Sequence, residues 1–159
     1  MEQIPSNWEK LARERQKEYR RLLEKGNRNQ MLRKLPVLHE AAFETVDCLS
    51  CANCCKNYSP RFKQPDIKRI AKRLKIKEGE LVDRYLRLDE DGDYVVKKSP
   101  CPFLGDDNRC GIYEDRPSDC ARYPYTDEDV LLKRVALSLK NATVCPAVFF
   151  VLERLKAIP

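Results

Sequence analysis

Histidine and glycine are scarce in this chain of 159 residues. It contains one histidine, His39, and five glycines that lie scattered along the sequence. A Ser-His-Asp catalytic set needs a histidine beside its nucleophile, and a phosphate-binding loop needs clustered glycines. The sequence therefore argues against a hydrolase and against a nucleotide-binding enzyme. It does not determine whether the protein catalyses some other reaction.

Long apolar segments are lacking as well. The longest apolar run, Val144 to Leu152, is about half as long as a membrane span. The first residues contain no apolar stretch of the kind found in signal peptides. We therefore expect a cytoplasmic protein that has no membrane partner and whose thiols are kept reduced.

Cysteine, in contrast, is abundant. In a reducing compartment, eight cysteines favour metal ligation or redox chemistry over a disulfide framework. Four of them fall within eight residues: Cys48, Cys51, Cys54 and Cys55. Two-residue gaps allow successive thiolates to turn toward one centre, as in zinc knuckles and around iron–sulfur clusters. The first three match the start of a ferredoxin-like series, for which Cys101 or Cys145, each followed by proline, would be the fourth ligand.

The later cysteines supply enough thiolates for a second site. They are Cys101, Cys110, Cys120 and Cys145. Neighbouring side chains point apart in an extended chain, so Cys54 and Cys55 need not bind the same ion, and one of them could instead pack inward. Thiolate sets accept zinc and iron alike, so the predicted cofactor is zinc or iron, with an iron–sulfur cluster as one option.

Seven short motifs occur in order between about residues 48 and 147. They are Cys48-x-x-Cys51-x-x-Cys54-Cys55, Pro65-Asp66-Ile67, Cys101-Pro-Phe-Leu104, Cys110-Gly-Ile-Tyr113, Arg116-Pro117, Cys120-Ala-Arg-Tyr-Pro124 and Cys145-Pro146. Together they resemble the YkgJ-type cysteine-cluster family, whose CxxCxxCC domain is described as zinc- or iron-chelating. The resemblance implies metal binding more firmly than any reaction. A similar cluster in flagellin lysine methylase implies an iron–sulfur option and a link to methyl transfer.

Charged and aromatic residues surround the later cysteines. We expect Tyr113, Arg116 and Arg122 to offset thiolate charge or to hold an anion beside the metal. The alternative is that the two arginines are surface charges that pair with Asp115 and Asp119. The family pattern places arginine directly after the cysteine matched by Cys120, whereas this chain has Ala121 before Arg122.

Apolar residues recur mainly with helical spacing. Helices are predicted over residues 6–25, through Met31 and on to about residue 47, and over 65–74, 78–86 and 146–156. A hairpin is predicted near 89–96, and one or two strands within 130–139. We therefore predict a mostly α-helical single small domain with a minor β element, in which cysteine-rich loops surround a metal site.

Charge is distributed unevenly along the chain. Residues 10–34 hold ten Lys/Arg against three Glu, so we divide the chain into a basic helical arm, 1–40, and a cysteine-cluster metal-binding domain, 41–159. Three function classes follow. In the first, the protein carries a metal or iron–sulfur centre for electron or group transfer. In the second, zinc stabilises a module that binds a protein or nucleic-acid partner through residues 10–34. In the third, the protein chelates and delivers metal.

Overall fold

The chain folds mainly into helices, with one two-stranded sheet, in a computed structural model that describes residues 3–158. The prediction of a mostly α fold with a minor β element is confirmed. The elements in chain order are α1 (Trp8–Glu14), α2 (Gln16–Lys25), α3 (Arg28–Thr45), α4 (Cys48–Cys51), α5 (Asn53–Asn57), α6 (Gln64–Leu74), α7 (Glu78–Tyr85), β1 (Leu86–Leu88), β2 (Tyr94–Val96), a 3-10 helix (Tyr113–Asp115), α8 (Ser118–Arg122), α9 (Val130–Lys133), α10 (Val135–Ala142) and α11 (Pro146–Lys156).

Two compact units make up the described chain. The first unit contains the described residues up to Asp47 together with those from Pro124 onward, and the second unit is Cys48–Tyr123. Helix α3 runs through residue 40, where the sequence suggested a boundary. That boundary concerns which segments fold independently, and it stays a prediction.

Helix α11 forms the centre of the first unit. Pro146 occupies its first turn, where a missing N–H costs no hydrogen bond, and every side chain from Pro146 to Leu152 is buried. The basic arm packs into the same core through apolar side chains spaced four, seven or eight residues apart, which is about one or two helical turns. These buried residues of the arm are Ala12, Tyr19, Leu23, Met31 and Leu35. The arm is therefore basic on its exposed face and apolar where it meets the core.

The predicted strands within residues 130–139 are wrong, because this segment forms α9 and α10. Val135 and Leu139 are four residues apart and so share one face of α10, while Leu131 lies on α9. Leu131 and Leu139 are buried in the core of the first unit, and Val135 packs against it. The apolar side chains of this segment therefore reach the core from helices and not from strands.

Within residues 3–158, the apolar helices are too short to cross a membrane singly. One pair, α10 with α11, reaches the length and apolar composition of a span when taken together, but the two helices are bent by 115°.

The core of the second unit lies between α6, α7 and the β1–β2 hairpin. Ile67, Ile70 and Leu81 are fully buried there, and Leu86 pairs with Val96 in the antiparallel register. The acidic tip of the hairpin is a turn, since one carboxylate oxygen of Asp89 accepts backbone N–H bonds from Asp91 and Asp93 at 2.9 Å. This unit carries seven of the eight cysteines.

Candidate metal centre

The first cysteines lie on two short helices joined by one strained residue. Cys48 begins α4 and is exposed, and Cys51 ends it. Between α4 and α5, Ala52 adopts φ 48° and ψ 17°, in the left-handed region that costs an L-residue about 1–2 kcal/mol. The side chain of Ala52 is buried, and its N–H bonds to the carbonyl of Cys48 at 2.9 Å. This reversal sets the direction in which α5 leaves α4.

Cys54 and Cys55 both belong to α5, so the assumption of an extended chain at this point is wrong. Their sulfur atoms are 4.0 Å apart, because adjacent side chains on a helix diverge by only about 100°. Two thiolates on one tetrahedral zinc are separated by about 3.8 Å, given Zn–S bonds of about 2.3 Å. The pair therefore fits a shared ion. A hydrogen bond from Cys54 lowers the pKa of Cys55 to about 7, against the effect of burial and with help from the charge of Lys56.

Cys101 and Cys110 lie on a second, hairpin-like segment. Its two sides meet at an antiparallel bridge between Leu104 and Cys110, and Gly111 donates its N–H to the carbonyl of Phe103 at 2.8 Å. The segment is tied to α5 by a 2.8 Å bond from the N–H of Cys101 to the carbonyl of Cys55.

Backbone groups near both sulfurs of this segment favour ionisation. Those of Phe103 and Leu104 act to lower the pKa of Cys101, and that of Ile112 acts to lower the pKa of Cys110. Such groups favour the thiolate, the form that ligates metal. Burial outweighs them in the absence of a cation, raising the pKa of Cys101 to about 11 and that of Cys110 above its ordinary value.

Cys120 lies on α8, which two buried carboxylates hold in place. Asp119 accepts from Arg61 at 2.8 Å and lies 3.5 Å from Lys63. Asp66 accepts from Arg69 at 2.8 Å and from the backbone N–H of Ser118 at 3.2 Å. These contacts attach Ser118 and Asp119, the two residues that precede Cys120, to α6 and to residues 61–63, which precede that helix.

Four cysteines from three segments, α5, the hairpin-like segment and α8, share one neighbourhood: Cys55, Cys101, Cys110 and Cys120. Each of the six pairs among them is electrostatically coupled, the negative charge of one thiolate raising the pKa of another. For Cys120, burial is the largest cause of the raised pKa, followed by the charges of Cys101, Cys55 and Cys110. Within residues 3–158, no three or more His, Cys, Asp or Glu side chains are already drawn together closely enough to hold an ion.

The donor chemistry of these four cysteines nevertheless fits zinc or iron. Buried thiols repel one another once ionised, and a bound cation removes this repulsion and keeps the sulfurs deprotonated. Backbone groups already favour the charged form of two of the thiols, Cys101 and Cys110, as the surroundings of metal-bound thiolates usually do.

The remaining predicted ligands are placed as follows. Cys48 and Cys51 lie on α4, and Cys54 adjoins Cys55. Cys145 belongs to the first unit, where it is the N-cap residue of α11 and packs half-buried against the core. His39, also in the first unit, bonds to Thr126 at 2.8 Å and stacks on Phe43, which gives it a structural role.

Arg116 lies beside the thiols. Its positive charge lowers the pKa of Cys110, and its guanidinium lies 3.9 Å above the centre of the Tyr113 ring. Arg122 is an exposed residue that ends α8. Asp115 pairs with Arg73 at 3.8 Å, and Asp119 pairs with Arg61 at 2.8 Å.

Sequence reasoning missed Arg61, Lys63 and Arg69 as supports of the site. Asp66 was interpreted mainly as a residue that favours the first helical turn, and it does accept the N–H of Lys63 at 3.0 Å. Its second role, the contact with Ser118, joins residues far apart in the sequence. The signal available was an acid in α6 three residues before an arginine, a spacing that allows a pair.

Comparison with known families agrees with this geometry. Residues 47–146 match the family model CxxCxxCC, described as a "Putative zinc- or iron-chelating domain". Because the match covers most of the chain, the protein belongs to the CxxCxxCC family, and the predicted family resemblance is confirmed. Neither the curated proteins nor the solved structures contain a significant match.

Proposed function

We propose that this protein is a cytoplasmic metal-binding protein that holds zinc or iron through thiolates, with Cys55, Cys101, Cys110 and Cys120 as one four-ligand centre. The observation that carries the proposal is the mutual coupling of these four thiols, which approach from three segments of one compact unit. Cys48, Cys51 and Cys54 supply three further thiolates on α4 and α5, and Cys145 remains a ligand predicted from the sequence.

Bound zinc or iron would supply the positive charge that four thiolates require. The chain itself contributes the rest of the electrostatic environment. Backbone groups of Phe103 and Ile112 stabilise sulfur charge, and Arg116 offsets it at Cys110. Asp66 and Asp119 fix the position of α8 and therefore of Cys120.

We favour iron in the cell, as an iron–sulfur cluster. The ferredoxin-like series and the abundance of thiolates support this choice, whereas aerobic isolation favours zinc, which has no redox chemistry with oxygen. Protein purified anaerobically, from cells supplied with iron and without chelators, should be brown and should absorb broadly in the visible region. Colourless protein with stoichiometric zinc would decide for a zinc centre, and protein with neither metal would refute chelation altogether.

A pair of adjacent variants tests the ligand assignment. Cys110→Ser removes a proposed ligand, whereas Arg109→Ser changes its exposed neighbour, whose side chain is 72% accessible. We expect Cys110→Ser to lose metal and to unfold more easily, since ligation free energy is also folding free energy. Arg109→Ser should keep the metal content of the unmodified protein. Equal metal content in the two variants would remove Cys110 from the ligand set.

A further inference from the structure

The exposed side of α6 is strongly basic. Residues 56–77 contain nine Lys/Arg and a single acid, Asp66. Asp66 is buried and already bonded to Arg69, so it does not neutralise the surface. Lys68 and Lys72 are four residues apart and share one face of α6, and Lys75 follows three residues later as the C-cap residue of the helix, at φ 57°. All three are exposed, and within the described residues they take part in no ion pair.

An exposed aromatic side chain lies on segment 113–116, which contacts α6 through Arg69 and Arg73, the residues that follow Lys68 and Lys72. Arg69 bonds to the carbonyls of Asp115 and Arg116, and Arg73 pairs with the Asp115 carboxylate, which holds segment 113–116 against α6. The ring of Tyr113 in that segment is 56% exposed. Arg116 lies over the ring and donates to the Tyr113 carbonyl at 2.7 Å, so that the ring is presented in a fixed position.

We propose that the α6 face, defined as Lys68, Lys72, Lys75 and the adjoining Tyr113, binds single-stranded nucleic acid. Phosphate groups are bound by positive charge alone, which a row of unpaired lysines provides. Stacking on an exposed aromatic ring requires bases that are not paired, which selects a single strand over a duplex. The apolar residues of α6 point into the core, and Ile67, Ile70 and Ala71 are buried. An acidic protein or a lipid surface would therefore find little apolar area to bury there.

The α6 face differs from the basic arm in what lies beside its charges, since Lys17, Arg21 and Lys25 of α2 also take part in no ion pair within the described residues, but no exposed aromatic ring adjoins them. On α1 and α2, Lys10, Arg13 and Arg20 each lie within 3.8 Å of a glutamate one helical turn away. Such pairs are ordinary features of a solvated helix. Helix α6 itself carries no exposed acid, and the Glu78 carboxylate, which accepts from Gln64 at 2.6 Å at the start of the same face, forms no ion pair with the three lysines in the described residues.

Anisotropy of a labelled short oligouridylate, titrated with the metal-loaded full chain at several salt concentrations, tests the proposal. Replacing Lys68, Lys72 and Lys75 together by Gln should weaken binding about tenfold or more at low salt, and should reduce the slope of log K against log salt by about 2. Tyr113→Ala should weaken binding about fivefold or more with the slope unchanged, and Tyr113→Phe should restore it. A second neutralised face, Lys17, Arg21 and Lys25 replaced by Gln on α2, is the matched control and should bind nearly as the unmodified protein does.

Three results would overturn the proposal. The first is unchanged binding by the α6 triple variant. The second is an equal loss in the α2 triple variant, which would assign binding to the arm. The third is competition by polyglutamate or phosphatidylserine vesicles as strong as that by unlabelled oligouridylate. Metal content measured on both triple variants keeps this test separate from the proposed chelation, since neither variant removes a cysteine.

Discussion

The backbone N–H of Cys101 donates a 2.8 Å hydrogen bond to the backbone carbonyl of Cys55. This bond joins the helix that carries the adjacent cysteines to the hairpin-like segment that carries Cys101 and Cys110. Because it uses only main-chain atoms, it positions the two segments whether their thiols are protonated or bind metal. The folded chain thus prepares part of the site before the metal arrives, which lowers the entropy that ligation must offset.

Asp66→Asn should destabilise the second unit by about 2–3 kcal/mol, because a carboxylate that is 2% exposed loses its charge while Arg69 keeps its own. The variant should also release metal to a chelator faster, since Ser118 loses a charged acceptor near Cys120. Thermal unfolding by circular dichroism and the rate of metal loss measure the two effects.

Asp115→Asn is the control for Asp66→Asn. Its pair with Arg73 is 3.8 Å long and partly exposed, so we expect a change below about 1 kcal/mol. Similar results for the two variants would deny Asp66 a positioning role.

Ala52 tests whether the reversal between α4 and α5 matters. Ala52→Gly should change stability by less than about 1 kcal/mol, because relief of the left-handed conformation offsets the loss of a buried methyl group. Ala52→Val should cost more than about 2 kcal/mol and reduce metal content, since a β-branched residue is strained at φ 48° and the site is closed. Ser50→Val, at an exposed position of α4, controls for β-branching. Full metal content in Ala52→Val would show that the direction of α5 is unimportant.

Much of the fold could be predicted from the sequence because its signals are local. Pro65 with Asp66 marks the start of α6, and Pro146 marks the start of α11. The strands expected near Leu131 and Leu139 failed because one apolar spacing serves both a strand and a helix.

Only part of the candidate site could be predicted from the sequence. The run from Cys48 to Cys55 is recognisable from spacing, whereas the grouping of Cys55 with Cys101, Cys110 and Cys120 depends on tertiary contacts. The basic face of α6 was missed for a different reason. The acids of the hairpin and of the 101–116 region cancel its charge when the whole segment after residue 34 is counted together.

Removal of residues 1–34 tests the predicted division of the chain. A chain that starts at Leu35 should keep the metal of the proposed centre, because Cys55, Cys101, Cys110 and Cys120 all belong to the second unit. It should also bind a hydrophobic dye and unfold at lower temperature, since Tyr19, Leu23 and Met31 leave the core of the first unit. Metal analysis and dye fluorescence distinguish the two units. Loss of metal on truncation would mean that the arm is needed for the centre.

The ionisation of Glu153 should make the stability of the first unit depend on pH. Burial opposes ionisation, but hydrogen bonds from Tyr19 at 2.6 Å and Arg15 at 2.5 Å hold the pKa of Glu153 below its ordinary value of 4.5. A carboxyl whose pKa is lower in the folded state contributes stability that is complete above the unfolded pKa and is lost as the pH falls through the folded pKa. Glu153→Gln should therefore be less stable than the unmodified protein by about 2 kcal/mol at neutral pH, and the difference should shrink once the pH falls below about 4.5.

Trp8 is the only tryptophan, and its ring lies 6.2 Å from that of Phe149 in the same unit, so urea unfolding followed by its fluorescence reports on this core. Glu14→Gln is the matched control. Its pair with Lys10 is 3.8 Å long and mostly exposed, so the substitution should change stability by less than about 0.5 kcal/mol. Tyr19→Phe removes one donor to Glu153 and should reproduce part of the Glu153→Gln effect with the same pH dependence. A difference between Glu153→Gln and the unmodified protein that stays constant from neutral pH down to about pH 3 would show that the charge of Glu153 does not stabilise the fold.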